Sequence, residues 1–262
     1  ILYGLVNNHA DFLMERTFAP WPDMEEKMRD NGIPLFSLES FRPVGDFDVV
    51  GFSLQYELSY SNVLNMLDLA GIPLLSRERD DSHPLVIAGG PSAFNPEPLA
   101  DFIDAFIIGD GEEAIIQVLD SVKNNIARSR QQKLKELAAI QGVYVPDFYE
   151  VNYNDNGTVA EMKPRFPGIP NRVKKAVIPD LDQAYFPVDP VVPYLGIIHD
   201  RAVLEVMRGC QRGCRFCQAG IIYRPARERT VDRLREIARK TIKSTGFDEI
   251  SLASLSSADY SG

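Results

Sequence analysis

All three cysteines of this 262-residue chain, Cys210, Cys214 and Cys217, fall within eight positions, in the string RGCQRGCRFCQAG (208–220). Thiolates act as metal ligands, nucleophiles or redox groups, and a CxxxCxxC spacing places three of them on one loop. Three buried structural cysteines do not fit, because Arg208, Arg212 and Arg215 flank them and free core cysteines prefer apolar neighbours. Structural zinc asks for four protein ligands, commonly as two pairs. The candidate fourth, His199, lies eleven residues before Cys210, at the far end of a predicted strand and roughly 35 Å away if extended. A thioredoxin-like CxxC would use Cys214 and Cys217 and leave Cys210 unexplained. A 4Fe-4S cluster fits the number: three thiolates leave one iron without a protein ligand, and an open metal position is where catalysis happens. Gly209 and Gly213 let such a loop curl, and the arginines offset the negative charge of cluster and thiolates.

The elements around this loop follow from periodicity. FDVVGFSLQ (47–55) and PLVIAGGP (84–91) are short apolar runs suited to buried parallel strands. Between them a helix is expected, with Ser59 or Ser61 as N-cap, Val63, Leu64, Leu67 and Ala70 on one face and Gly71 at the stop. A third strand runs through Ile107 and Ile108, followed by a Gly109 to Gly111 turn and a helix burying Ala114, Ile115, Val118, Leu119 and Val122. This alternation predicts an α/β fold, a Rossmann-like parallel sheet whose ligands gather outside the carboxyl ends of the strands, near Gln55, Gly89 to Pro91 and Gly109 to Gly111.

Past residue 140 the pattern changes. Alternating runs flank Asn154-Asp155-Asn156-Gly157, a hairpin signal, and seven prolines between 164 and 193 predict an extended connector. RAVLEVMRG (201–209) then reads as a strand delivering the cysteines. TVDRLREIARKTIKSTG (230–246) reads as an amphipathic helix with Thr230 as N-cap, Val231, Leu234, Ile237, Ala238 and Ile242 inward, and Gly246 at its end. FDEISLAS (247–254) is the next strand. The expected organisation is a Rossmann-like domain over 1–140 lacking its first strand, a hairpin and Pro-rich connector over 141–199, and the beginning of a β/α barrel over 200–262. The ends read as internal to a longer protein.

Charge and composition bound the partners. Residues 201–243 hold twelve Lys or Arg against four Asp or Glu, in a chain of net charge −9. A basic segment in an acidic chain faces an anionic cofactor or nucleic acid, or is a solvated helix face, and Arg233, Arg235, Arg239 and Lys240 are expected in solvent. No stretch reaches the roughly 18 to 20 apolar residues of a membrane helix. The first residues, ILYGLVNNHADF, lack a basic n-region and cleavage site, so a reducing, cytoplasmic location without disulfides or membrane contact is expected.

CQRGCRFC, with an aromatic before the third cysteine, between a strand and an arginine-rich helix, resembles the radical S-adenosylmethionine (radical SAM) enzymes. The upstream strings DVVGFSLQYELSYSNVLNMLDLAGIP and VIAGGPSAFNPEPLADFIDAFIIGDGEEAI are similar to the group of that superfamily with an N-terminal cobalamin-binding-like domain. The resemblance implies an enzyme in which Cys210, Cys214 and Cys217 hold a 4Fe-4S cluster. S-adenosylmethionine and an electron donor then yield a 5′-deoxyadenosyl radical acting on a further substrate. It places Phe216 near adenine and puts Ser254 and Ser256, within SLSS, where relatives often carry Gly-Gly-Glu; within the basic segment, Arg224 and Arg227 are expected to serve the cofactor pocket while the helix arginines are solvated. Cobalamin is a further possible cofactor, although the Asp-x-His-x-x-Gly signature is absent: DSHPLV (81–86) ends in Val, and His9 and His83 read as surface or turn histidines. YRPARERTVDRLREIARK resembles a stretch of RNA methylthiolating relatives, so an RNA-modifying methyltransferase or methylthiotransferase-like activity is an alternative. A non-catalytic, metal-stabilised interaction domain is another.

Overall fold

The computed structural model describes residues 1–196, 198 and 200–262, so His199 lies outside the described residues. The chain forms two compact units, residues 13–176 and residues 1–12 with 177–262. The chain is mixed α/β, as its alternation predicts. No helix among the described residues is long and apolar enough to cross a membrane.

After α1 (Leu2–Asn7), which belongs to the second unit, the first unit opens with α2 (Pro22–Asp30). Its sheet consists of β1 (Val49–Ser53), β2 (Leu85–Gly89) and β3 (Ala105–Ile107), parallel in that order, with β4 (Val143–Tyr144) antiparallel beside β3. Leu85, Val86, Ile87 and Ala88 are all buried, because β2 has a strand on each side and covered faces. At the edge, β1 alternates instead, and only Val50 among its residues is buried. The crossovers are α3 (Tyr60–Leu69) and a run of short turns, while α4 (Gly111–Asn124) and α5 (Arg130–Ala138) lead from β3 to β4.

Two details differ from the sequence expectation. The sheet is not wholly parallel: β4 comes from the start of the alternating run read as one arm of the hairpin, and it pairs with β3 instead, Tyr144 opposite Phe106 and Val143 opposite Ile107. Ser59 precedes α3 but is itself helical, and its hydroxyl donates to the Tyr56 carbonyl (2.7 Å) because a 3₁₀ turn feeds the helix directly.

The amino ends of these strands are locked by a buried carboxylate. Asp104 Oδ2 accepts from the Val86 backbone N–H (2.6 Å), Arg79 Nη1 (3.1 Å) and Arg130 Nη2 (2.5 Å). Burial raises the Asp104 carboxyl and lowers the Arg79 guanidinium, each opposed by the ion pair. Both guanidiniums also donate to backbone carbonyls, Arg79 to Pro73, Leu74 and Phe102 and Arg130 to Asp80, His83 and Pro84, so that on this closed face, among the described residues, only Arg130 Nε of the two groups is left without an acceptor.

The hairpin is present as β5 (Tyr149–Tyr153) and β6 (Val159–Pro164), antiparallel, with Gly157 in the left-handed region of its turn. In the second unit, β7 (Ala202–Glu205), β8 (Met207–Arg208), α6 (Ala219–Ile222), β9 (Arg227–Glu228), α7 (Val231–Thr245) and β10 (Ile250–Ala253) follow in order. β7 and β10 pair in parallel, with Ala202 opposite Ile250 and Glu205 opposite Ala253. The Thr230 hydroxyl accepts from the Arg233 N–H at the start of α7, and Gly246 ends it in the left-handed conformation. Ile237 is buried, but Val231 and Ile242 remain partly exposed, since the described sheet beneath α7 has only two strands.

Candidate metal and cofactor site

The predicted strand 201–209 is in fact two pieces. β7 joins the parallel pair with β10, whereas β8 turns away and pairs antiparallel with β9, Met207 opposite Glu228 and Arg208 opposite Arg227. This short ribbon closes the neck of a loop, residues 209–226, that carries all three thiols. Gly209 sits just inside the neck at φ +88°, and a Cβ there would stand 2.6 Å from the Tyr223 carbonyl oxygen and 2.7 Å from that of Pro225. Only glycine permits both the left-handed turn and that approach. Gly213, at φ +66°, turns the loop again between the first two thiols.

Buried polar groups stiffen the neck. The Glu205 carboxylate accepts from Arg208 Nε (2.9 Å) and Nη2 (3.0 Å) and from Arg229 Nη2 (3.4 Å). Arg229, 1% exposed, also donates to the Glu205 and Leu181 carbonyls and lies over the Phe186 ring. Burial lowers its guanidinium against the pull of Glu205. Arg227 donates to the carbonyls of Ile178 (2.7 Å), Pro225 (3.0 Å) and Tyr223 (3.4 Å), tying the Pro-rich segment, where Ile178, Leu181 and Ala184 form a small buried cluster, to the loop.

All three cysteines are free; Cys210 and Cys217 are half-buried and Cys214 is exposed. The Cys217 N–H donates to the Cys214 carbonyl (3.1 Å), and the Arg212 N–H donates to Cys210 Sγ (3.5 Å). Among the described residues, no three His, Cys, Asp or Glu side chains converge closely enough to hold a metal ion. The donor set, three free thiols on one glycine-turned loop with arginine beside them, suits a cluster-type centre in number and kind.

The other expected site residues are spread around this loop. Phe216 is 92% exposed. Arg224 is exposed and donates from Nε to the Gly220 carbonyl (2.8 Å), whereas Arg227 is buried in the neck. Ser254 and Ser257 share a hydroxyl hydrogen bond (2.9 Å), and Ser256 donates to Asp259 Oδ2 (2.7 Å). Asp259 in turn receives Arg212 Nε (2.6 Å) and Nη2, so the loop after β10 and the thiol loop are joined. Neither Asp259 nor Glu205 belongs to any motif of the sequence, and Arg229 stands out there only as one of the arginines that follow the cysteines. Asp259 lies 47 residues from its partner, a separation that no spacing rule detects.

The basic helix is mostly paired with itself. Glu236 accepts from Arg233 (2.7 Å) and Lys240 (2.6 Å), and Arg235 donates to Asp232 (3.3 Å). Arg235, Arg239 and Lys240 are exposed as expected; Arg233 is half-buried, because its stem lies along the helix's covered side.

The carboxyl-end turns of the first unit are filled by its own backbone. A Cβ on Gly90 would stand 2.7 Å from the Leu54 carbonyl oxygen, and the Gly109 approach is taken by Ala176, which bridges it in parallel. His83 lies in a turn at the opposite, amino end of β2, where its Nδ1 meets Asp80 Oδ1 (2.8 Å). His9 is exposed in the other unit. Within the first unit, no histidine therefore stands at the carboxyl ends of the strands to ligate a corrinoid.

These features define an α/β protein with a three-thiol loop at the end of a strand. A family model described as "Radical SAM proteins, N-terminal" matches residues 1–146, more than half the chain, and the chain belongs to that family. It is 27% identical over 238 residues to the uncharacterized protein MJ0966 of Methanocaldococcus jannaschii, an alignment covering 89% of this chain and 44% of that protein. The chain thus spans less than half the length of this relative. Among solved structures it is similar to the radical S-adenosylmethionine methyltransferase TsrM of Kitasatospora setae, determined with tryptophan substrate and a SAM analog. That match has a TM-score of 0.44 and 13% identity, and covers 91% of this chain and 41% of that one.

Proposed function

We propose that the protein is a radical SAM enzyme in which Cys210, Cys214 and Cys217 hold a 4Fe-4S cluster. The observation that carries the reading is the loop itself: three free thiols on a glycine-turned segment, closed by the β8–β9 ribbon, in a chain belonging to a radical SAM family. When bound, such a cluster supplies the electron that cleaves S-adenosylmethionine into methionine and a 5′-deoxyadenosyl radical. The chain's own residues have simpler tasks. The thiolates bind iron, Arg212 offsets their charge, and Arg227, Arg229 and Glu205 hold the neck of the loop. Exposed Phe216 offers an apolar surface for adenine, and the Ser254 and Ser256 hydroxyls are polar groups for the methionine end. The reading requires an electron donor and a substrate beyond S-adenosylmethionine.

Anaerobic reconstitution of the intact protein tests it. About four irons with matching sulfide are expected, together with reductant-dependent formation of 5′-deoxyadenosine, and alanine at any of the three cysteines should abolish both. A single tightly bound zinc without charge-transfer absorption would sink the reading in favour of a metal-stabilised interaction domain.

A further inference from the structure

We propose that Arg212 and Asp259 form a strap that positions the thiol loop for metal loading. The proposal rests on the cluster reading of the cysteines, but its geometric part stands on its own. Arg212 lies between Cys210 and Cys214 in sequence, its backbone N–H donates to Cys210 Sγ, and its guanidinium reaches away from the loop to grip both oxygens of Asp259. The far side of the strap is itself anchored. Ser256 donates to Asp259 Oδ2 (2.7 Å), Tyr260 OH donates to the Arg229 carbonyl (2.6 Å), and Ser261 donates to the Glu228 carboxylate. Residues 256–261 are thus stapled to the neck, and Asp259 transmits that anchorage to the tip of an otherwise exposed loop.

Two properties set this pair apart from an ordinary surface ion pair. Its bidentate geometry fixes direction as well as distance, on a side chain that is otherwise 62% exposed. Its location makes that geometry useful, because Arg212 stands between Cys210 and Cys214 on the loop and its backbone N–H already meets Cys210 Sγ. Bringing three thiolates to one cluster costs loop entropy, and a loop already tethered at Arg212 has less of it to lose when iron arrives. Arg212 and Asp259 are positioning residues in this scheme; neither need touch iron.

The test uses Asp259→Asn, Arg212→Gln and their double variant in the intact protein, with two readouts: amide hydrogen exchange of residues 209–217 without metal, and the rate of Fe²⁺ and sulfide uptake. Each single change should raise loop exchange and slow uptake by about threefold, the size expected of a partly exposed pair. The double variant should be no worse than the singles, and the unfolding midpoint should not move, since neither side chain is in the core. Unchanged exchange in the single variants, or additive effects in the double, overturns the strap. Raised exchange with normal uptake overturns its loading role. A wild-type protein that takes up no iron sinks the cluster reading and the loading role with it, while the exchange data still decide whether the strap exists.

Discussion

Gly209 and Tyr223 meet across the neck of the thiol loop so closely that a Cβ on Gly209 would stand 2.6 Å from the Tyr223 carbonyl oxygen. Backbone packs against backbone here, with φ at +88°, and neither side can relax as the end of a flexible side chain would. Gly209→Ala should cost about 2 kcal/mol or more through strain and displaced backbone. Chemical unfolding measures that cost, and iron uptake should fall with it; a variant as stable as the parent would mean that the neck opens freely.

Arg229→Met removes a guanidinium that is 1% exposed and leaves the Leu181 and Glu205 carbonyls without their donor. Breaking a buried charged pair by deleting one partner costs about 3–5 kcal/mol. The same denaturation experiment reads it. The double change Glu205→Gln, Arg229→Met should recover nothing, because Glu205 keeps its two hydrogen bonds from Arg208 when Arg229 is lost and Arg208 loses its own partner when Glu205 goes.

At Gly109 the outcome should be confined to the first unit. Its φ is +108°, and a side chain would collide with the Ala176 backbone, which bridges the turn. Gly109→Ala should release residues 174–176, seen as faster amide exchange at Ala176 and Asp110, whose N–H groups donate to Ile108 and Ala176. Iron uptake by the thiol loop should be unchanged; a large effect there would show the two units to be coupled.

Glu236 sets a pH dependence in α7. Hydrogen bonds from Lys240 and Arg233 hold its carboxyl below the ordinary range. A depressed folded-state pKa stabilises above the unfolded value, near 4.3, and that contribution disappears as pH falls through the folded value. Glu236→Gln should therefore melt slightly below the parent at pH 6, and the gap should narrow as acid protonates the parent's carboxylate. A gap that does not narrow with falling pH would assign the effect to packing.

Charge neutralisation of Arg235 and Arg239 tests whether the basic helix holds RNA. Both are exposed, and Arg235 already has Asp232 as a partner. Stability should change by no more than about 0.5 kcal/mol and oligonucleotide binding should not change. Each real phosphate contact on a single strand would instead contribute roughly 0.7 to the slope of log affinity against log salt. A steep slope that flattens in the double variant would make RNA the leading substrate class.

Local pattern was enough for most of the elements. The apolar run 85–88, the face of Val63, Leu67 and Ala70, the Asn-Gly hairpin turn, and α7 with Thr230 at its start and Gly246 at its end follow from period, caps and turn chemistry, which act over a few residues. The three thiols and the glycines that turn their loop were legible for the same reason. What only the tertiary structure decided are pairings between residues far apart in sequence. β8 leaves β7 to pair with β9, β4 completes the first sheet, Asp104 gathers Arg79 and Arg130, and Arg212 reaches Asp259. Each depends on folding that brings distant backbone together, and a charged residue carries no mark in the sequence of which opposite charge that folding will place beside it.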